Sequence, residues 1–107
     1  MARVKTTDSF DREAKALVKK YRSLKVEIGD LIAQLEENPT IGTAIGHSCY
    51  KIRLAIKSKG RGKSTGARVI TYVYVQHQTV FLLSIYDKSE KANISEAELR
   101  ELLAEIE

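Results

Sequence analysis

Apolar residues in the first part of the chain recur every three or four positions, which predicts two amphipathic helices. The apolar positions are Phe10, Ala14, Leu17, Val18 and Tyr21, and then Leu24, Ile28, Leu31, Ile32 and Leu35. We expect Ser9 to cap the first helix, with Asp11 and Glu13 in its first turn, and Ser23 to cap the second. The Asn38-Pro39 pair ends the second helix, because a residue before proline disfavours helical backbone angles. The short connection between the helices predicts an antiparallel helical hairpin.

The hydrophobic period changes to two at Cys49, which predicts strands in the middle of the chain. In the first of these strands Tyr50, Ile52, Leu54 and Ile56 alternate with Lys51, Arg53 and Lys57. Similar alternation predicts a second strand at Ala67–Gln76 and a third at Thr79–Asp87. The turn at 76–78 is short, so these two strands are expected to pair as an antiparallel hairpin.

The remaining segments are expected to be loops or edges of the sheet. Ala2–Thr6 is a candidate edge strand, whereas Ile41–Ser48 is expected to be a loop or an irregular lead-in to the next strand, and residues 57–66 are expected to be a loop. The residues expected to face the helical hairpin are Ala67, Val69, Thr71, Val73 and Val75 in the second strand, and Phe81, Leu83 and Ile85 in the third.

A third helix is expected at the end of the chain. Ser95 and Glu98 have the spacing of a capping box, and the apolar positions that follow are Leu99, Leu102, Leu103 and Ile106. The expected fold is therefore α+β, a small antiparallel sheet with the helical hairpin on one face and a C-terminal helix. At 107 residues, we expect one domain that comprises residues 1–107.

Positive charge is concentrated in the predicted sheet. Seven of the 18 Lys and Arg residues lie between Cys49 and Arg68, and no Asp or Glu occurs between Asn38 and Tyr86. Such a block is expected to lack local partners and to attract a polyanion, with RNA as our interpretation. Strand alternation should place five side chains together on the face without helices or at its end: Lys51, Arg53, Arg68, Tyr86 and Lys88.

Several other kinds of chemistry are disfavoured. Cys49 is the only cysteine, which excludes an intramolecular disulfide and leaves no basis for a zinc cluster, so we expect no metal or cofactor. The segment Gly62-Lys63-Ser64 lacks the earlier glycine of a P-loop, since Lys57 stands there. His47 and His77 are expected to be structural or solvated. No apolar run could span a membrane and no secretory signal is present, so a reducing cytoplasm is expected.

Cations without carboxylates can support the cleavage of RNA by its own 2′-hydroxyl. Guanidinium and ammonium groups stabilise the negative charge that develops on the phosphorane. Lys51, crowded by Arg53 and Arg68, is the best candidate for a general acid or base. The charge alone, however, favours binding without chemistry. Tyr86 is assigned to the site, whereas Tyr72 and Tyr74 could stack on bases but are expected to cover the outer face of the sheet.

Together these segments resemble the RelE/HigB-like toxins of bacterial type II toxin–antitoxin systems. The likeness extends over nearly the whole chain and is carried by Tyr50-Lys51-Ile52-Arg53-Leu54, the glycine-rich basic loop, Gly66-Ala67-Arg68-Val69-Ile70 and Leu83-Ser84-Ile85-Tyr86-Asp87-Lys88. The resemblance implies a ribosome-dependent endoribonuclease that cleaves mRNA in the ribosomal A site and inhibits translation. It also implies three partners: a cognate antitoxin, the 70S ribosome and mRNA.

By position, Lys51 and Arg53 match the paired cations of the family, Arg68 matches the arginine of the next strand, and Lys88 occupies a basic position that is often arginine. Some members have a catalytic tyrosine in the C-terminal segment; residues 89–95 contain none, and Tyr86 is the candidate substitute. The resemblance further implies contacts to RNA or the ribosome from Lys57, Lys59, Arg61, Lys63 and Lys91. Two alternatives stay open: a non-catalytic RNA- or ribosome-binding protein, and a ParE-like toxin directed at gyrase.

Overall fold

The computed structural model describes residues 1–59 and 65–106. Its helices are α1 (Asp8–Lys20), α2 (Leu24–Glu37) and α3 (Glu96–Ala104). Its strands are β1 (Arg3–Thr6), β2 (Thr43–Gly46), β3 (Cys49–Leu54), β4 (Ala67–Tyr74) and β5 (Thr79–Asp87). They form one sheet in the order β1-β5-β4-β3-β2, antiparallel throughout except that β1 runs parallel to β5. The predicted α+β fold and the edge strand at the start of the chain are confirmed.

Strand β2 lies inside the segment predicted to be a loop, and that prediction is wrong. It pairs antiparallel with β3 through a tight turn in which His47 and Ser48 have φ angles of 57° and 61°. Positive φ at both central positions is the geometry of a type I′ hairpin, which usually has asparagine or glycine there. Because His and Ser are unusual at these positions, the sequence does not predict this turn.

A bulge in β5 reverses the predicted faces of part of that strand. Ile70 pairs with Ser84 and Thr71 with Leu82, so Leu83 is an extra residue without a partner on β4. Because side chains alternate between faces, one extra residue exchanges the faces of everything before it. Val80 and Leu82 consequently join Ile85 beneath α1 and α2, whereas Phe81 and Leu83 lie on the other face. The prediction that Phe81 and Leu83 face the helical hairpin is wrong.

The caps of the first two helices also differ from the predictions. Thr7, not Ser9, caps α1: its Oγ1 accepts a hydrogen bond from the Phe10 N–H at 3.2 Å. Ser23 precedes α2 but makes no capping hydrogen bond with its side chain. Strand β4 ends at Tyr74, so Val75 does not join the core and is 75% exposed.

Helices cover both faces of the sheet. One core contains residues of α1 and α2 such as Phe10, Leu31 and Leu35 packed on β3, β4 and β5. Leu99 of α3 belongs to a second, smaller core with Ile70 and other residues of the opposite face. The expectation that this face lacks a helix is therefore wrong, because the apolar stripe of α3 needs a surface to cover it. None of the described helices is long and apolar enough to cross a bilayer.

Helix α3 crosses the strands from one edge of the sheet to the other. It begins with the predicted capping box of Ser95 and Glu98, and Glu96 lies 3.4 Å from the His47 ring in the β2–β3 turn. At its end, the Glu105 carboxylate accepts hydrogen bonds from the backbone N–H of Ser9, at 3.1 Å, and from the Ser9 hydroxyl. The helix thereby divides this face of the sheet into two parts.

Gly66 allows the backbones before β4 and after β3 to approach closely. A Cβ atom at this position would lie 2.2 Å from the carbonyl oxygen of Leu54. The same residue accepts a hydrogen bond on its carbonyl from the Lys88 N–H, at 2.9 Å. Gly66 therefore fixes the start of β4 between the end of β3 and the end of β5.

We expect Gly66→Ala to lower the free energy of unfolding by roughly 1–3 kcal/mol, because backbone must move to accept the methyl group. Gly29→Ala is the matched control, since Gly29 lies exposed inside α2 with no neighbour within 4 Å of the new Cβ. There alanine should raise the free energy by about 0.5–1 kcal/mol through its helix propensity. Urea denaturation of both variants measures the contrast; equal effects of the two would contradict the close approach at Gly66.

Candidate functional site

Three residues predicted for the site lie side by side on adjacent strands. Arg53 of β3 is directly opposite Arg68 of β4, which in turn is directly opposite Tyr86 of β5. Cross-strand partners project from the same face with Cβ atoms about 5 Å apart. We call Arg53, Arg68 and Tyr86 the cationic row. The predicted convergence of these three side chains is thus explained by strand register.

Arg68 at the centre of the row is buried, with 5% of its surface exposed. Its Nη1 donates a hydrogen bond to the Ala67 carbonyl at 3.1 Å. Burial lowers the pKa of Arg68, and the neighbouring charge of Arg53 lowers it further. Like charges directly opposite one another destabilise a sheet, so this pair has an electrostatic cost that a bound anion would relieve.

Arg53, in contrast, is exposed, and its side chain makes no ion pair or hydrogen bond with the described part of the chain. It lies beyond the last residue of β3 that pairs with β2, which is Lys51. A guanidinium group at such a position can reach an incoming phosphate without first breaking an internal bond.

Tyr86 is the member of the row on β5, and it is buried. It is 7% exposed, and its hydroxyl finds no hydrogen-bond partner among residues 1–59 and 65–106. Burial raises the pKa of Tyr86, although the Arg68 charge opposes the shift. The hydroxyl is therefore protonated at neutral pH and suited to donate a hydrogen bond. The Lys91 ammonium lies 5.5 Å from the ring centroid and forms an ion pair with Glu98 of α3.

Lys51 and Lys88 lie at the borders of the row, and the segment between β5 and α3 contacts both. Lys51 pairs with Ile70, two residues along β3 from Arg53, and its Nζ donates to the Asn93 side chain at 3.1 Å. The Lys88 Nζ donates to the Ala92 carbonyl at 2.9 Å. Both lysines thus bind neutral oxygen atoms, and within the described residues neither is neutralised by a carboxylate.

The residues predicted to contact RNA have different environments. Lys57 is exposed, and its backbone N–H donates to the Glu27 carboxylate at 2.7 Å, the one bond it makes with residues 1–59 and 65–106. Lys59 makes internal contacts, since its Nζ donates to Asp87 at 2.6 Å and to the Thr65 carbonyl at 2.8 Å, and its contact to RNA stays a prediction. Arg61 and Lys63 lie outside the described residues. Lys91 is occupied by Glu98, as described above.

Asp87 is the partner of Lys59 and was missing from the predicted site. Its side chain is buried and accepts hydrogen bonds from Lys59 and Tyr21, each at 2.6 Å, and from the backbone and hydroxyl of Ser89. Burial alone would raise the pKa of Asp87, but these hydrogen bonds outweigh it and hold the pKa well below its usual value. The sequence does contain a signal for its importance: Asp87 is the first carboxylate after a long run without Asp or Glu, and it directly follows Tyr86.

A cavity of about 430 Å³ opens beside Lys51, between the β2–β3 turn and the start of α3. Asn93 and Glu96 line it together with Lys51 and His47. Within residues 1–59 and 65–106, no group of three or more His, Cys, Asp and Glu side chains is arranged to hold a metal ion.

One protein family and several solved structures are similar to this chain. The model of a family described as the RelE toxin of the RelE/RelB toxin–antitoxin system matches residues 2–105. The isolated RelE toxin of E. coli is similar in structure, with a TM-score of 0.63 and 20% identity over 100% of both chains. In the intact RelBE toxin–antitoxin complex of E. coli the match has the same TM-score and identity, and covers 81% of this chain and 96% of that one.

A metal-bound toxin from Helicobacter pylori is also similar, with a TM-score of 0.54 and 19% identity over 85% of this chain and 99% of that one. At such identities the structural matches establish a shared fold.

We expect Asp87→Asn to destabilise the protein by about 3 kcal/mol at pH 7, because the Lys59 ammonium loses its buried counter-charge. The pKa of Asp87 is lowered in the folded state, so its contribution is complete above the unfolded value of about 3.9. The contribution is lost as the pH falls from there towards the lower folded pKa. Urea denaturation from pH 7 downward should therefore show the difference between the two proteins shrinking below about pH 4.

Glu90→Gln is the control for this prediction, since Glu90 pairs with Lys20 at 3.3 Å on the surface. It should leave stability unchanged at every pH. A constant difference between Asp87→Asn and the unsubstituted protein down to low pH would contradict the role given to the Asp87 charge.

Proposed function

The chain belongs to the RelE toxin family of RelE/RelB toxin–antitoxin systems, and from this premise we propose that it is a ribosome-dependent endoribonuclease that cleaves mRNA in the A site and inhibits translation. The observation that carries the proposal is the cationic row. Two guanidinium groups and a phenol occupy neighbouring positions on three strands. The sheet holds them at fixed spacing, which is the preorganisation that charge stabilisation requires.

The proposed reaction is attack by the 2′-oxygen of a nucleotide on the adjacent phosphorus. The new bond from the 2′-oxygen to phosphorus forms as the bond to the 5′-oxygen of the next nucleotide breaks. A base takes the proton of the 2′-hydroxyl, and an acid gives a proton to the departing 5′-oxygen. The products are a 2′,3′-cyclic phosphate and a free 5′-hydroxyl, and negative charge accumulates on the non-bridging oxygens in the transition state.

Arg53 and Arg68 are proposed to bind those non-bridging oxygens. Arg68 is buried, so its interaction with developing charge is screened less than that of a surface cation. The unpartnered Tyr86 hydroxyl is a further donor for the same phosphate. Lys51 and Lys88 lie on either side of these groups. If substrate replaced the Asn93 side chain and the Ala92 carbonyl as their hydrogen-bond partners, both ammonium groups would be available for proton transfer or charge stabilisation.

The cations outside the row are proposed to hold RNA of the ribosome or message. Lys57 is exposed at the start of the basic loop, and Arg61 and Lys63 follow in the sequence. Lys91 joins them when its pairing with Glu98 opens. Lys59 is bonded to Asp87 and Thr65, so it would contact RNA only after those bonds open.

We further propose a cognate antitoxin as the protein partner and the cytoplasm as the site of action. The E. coli relative was solved as a toxin–antitoxin complex. An acidic segment of the partner would complement the exposed cations around the row.

Substitutions in the row test the proposal. Arg53→Ala removes an exposed guanidinium, and Arg68→Met removes the buried one while the side-chain stem is retained. Each should lower the cleavage rate by about 10²–10³-fold, the usual loss for one donor that stabilises transition-state charge. The measurement is the initial rate of cutting of end-labelled mRNA on programmed ribosomes, with thermal denaturation as a check that each variant is folded.

Lys15→Ala is the matched control, because Lys15 is an exposed cation on α1 and its loss changes the net charge equally. It should cleave at the unsubstituted rate. Binding of programmed ribosomes without a cut product would support a non-catalytic ribosome-binding protein instead, and DNA breaks with intact mRNA would support a toxin directed at gyrase.

A further inference from the structure

A second group of aromatic and basic side chains lies on the same face of the sheet, at the opposite ends of the strands. Tyr72 neighbours two other aromatic side chains there: its ring centroid is 6.3 Å from that of Tyr74 and 6.2 Å from that of Phe81. The His77 ring lies 4.6 Å from Tyr74. All three aromatic residues keep part of their surface exposed, and His77 is exposed. We call Tyr72, Tyr74, Phe81 and His77 the aromatic platform.

Strand β1 adds two cations to the border of this platform. Lys5 pairs with Phe81, which pairs with Tyr72, and Arg3 pairs with Thr79, which pairs with Tyr74. Partners in register project from one face, so both cations flank the rings. Both side chains are exposed and make no hydrogen bond or ion pair with the described residues.

A cavity of about 500 Å³ connects the two parts of this surface. Arg3, Lys5, Tyr74, His77 and Phe81 line it, and none of its described lining residues carries a carboxylate. Asp8 and Glu105 lie in the neighbouring recess on the other side of Phe81, where Ser9 binds the Glu105 carboxylate. The cavity itself is therefore cationic and aromatic.

Helix α3 separates the platform from the cationic row. It crosses from the His47 turn to Ser9, and its apolar residues pack on the sheet between the two groups. Arg68 and Tyr74 are six residues apart on β4, which corresponds to about 20 Å along an extended strand. A group bound at the platform would thus not be the phosphate at the row.

We propose that the aromatic platform binds a single-stranded segment of RNA, separately from the cleavage site. Exposed rings on a sheet stack on unpaired bases of any sequence, and flanking cations bind the phosphates between them. A duplex buries the faces of its bases and would gain only the charge contribution. The inference deepens the proposed function, since it supplies an RNA contact that does not depend on cleavage.

The first test measures binding of a fluorescein-labelled 2′-O-methyl oligouridylate by anisotropy. This probe has no free 2′-hydroxyl, so it cannot be cleaved by the proposed reaction. Tyr74→Ala should weaken binding by about 5- to 150-fold, the effect of losing one stacked base. Tyr74→Phe keeps the ring and should bind within about twofold of the unsubstituted chain. A duplex containing the same strand should bind more weakly than the single strand.

The second test examines the cations. The double variant Arg3→Ala/Lys5→Ala should reduce the slope of log affinity against log salt by about 1.4, which is about 0.7 for each lost phosphate contact. Lys15→Ala/Lys25→Ala removes the same charge from exposed positions on α1 and α2 and should leave the slope unchanged. Thermal denaturation verifies that all variants are folded.

The proposal is overturned if Tyr74→Ala binds the probe as tightly as the unsubstituted chain, or if both double variants change the slope equally. Platform variants that bind the probe normally but lose the antitoxin would assign the surface to a protein partner instead. Cleavage on ribosomes is measured separately. A chain that binds the probe through Tyr74 but cuts no mRNA would support the platform and contradict the proposed function. A chain that cuts mRNA but binds the probe equally well without the Tyr74 ring would support the proposed function and contradict the platform.

Discussion

The buried carboxylate of Asp87 fixes the end of β5 against three other parts of the protein. It accepts hydrogen bonds from Tyr21 after α1, from Lys59 at the start of the basic loop, and from Ser89 in its own turn. Adjacent side chains of a strand point to opposite faces, so holding Asp87 on the α1 side keeps Tyr86 on the other. The position of the cationic row therefore depends on a carboxylate that does not belong to it.

The charges and polar groups of the cationic row are unfavourably placed, but the sheet holds them rigidly. Arg53 and Arg68 face each other across two strands, where like charges oppose pairing, and Tyr86 has a buried hydroxyl without a partner in the described chain. Both costs are compensated by the surrounding hydrophobic cores, and both would be relieved by a phosphate that accepts hydrogen bonds from all three groups. The stability of the sheet thus permits a surface that is preorganised for an anion.

Much of this arrangement could be predicted from the sequence, because helical and alternating periods identify the elements and alternation places Lys51, Arg53 and Arg68 on one face. The exceptions arise from contacts that no local pattern records. The bulge at Leu83 reverses the faces of Phe81 and Val80. Burial of the α3 stripe covers the face expected to be free. The bond between Lys59 and Asp87 joins residues 28 positions apart. The assignment of the site residues to catalysis remains a prediction.

The central claim is that the scissile phosphate binds at the cationic row. The most direct test is the structure, by electron cryomicroscopy, of the protein on a ribosome programmed with mRNA that carries a 2′-O-methyl group at the cleavage position. Our account predicts that this phosphate lies within hydrogen-bond distance of the Arg53 and Arg68 guanidinium groups, with the Tyr86 hydroxyl pointing towards it. A phosphate held elsewhere on the protein, with both arginines facing away from the RNA, would contradict it.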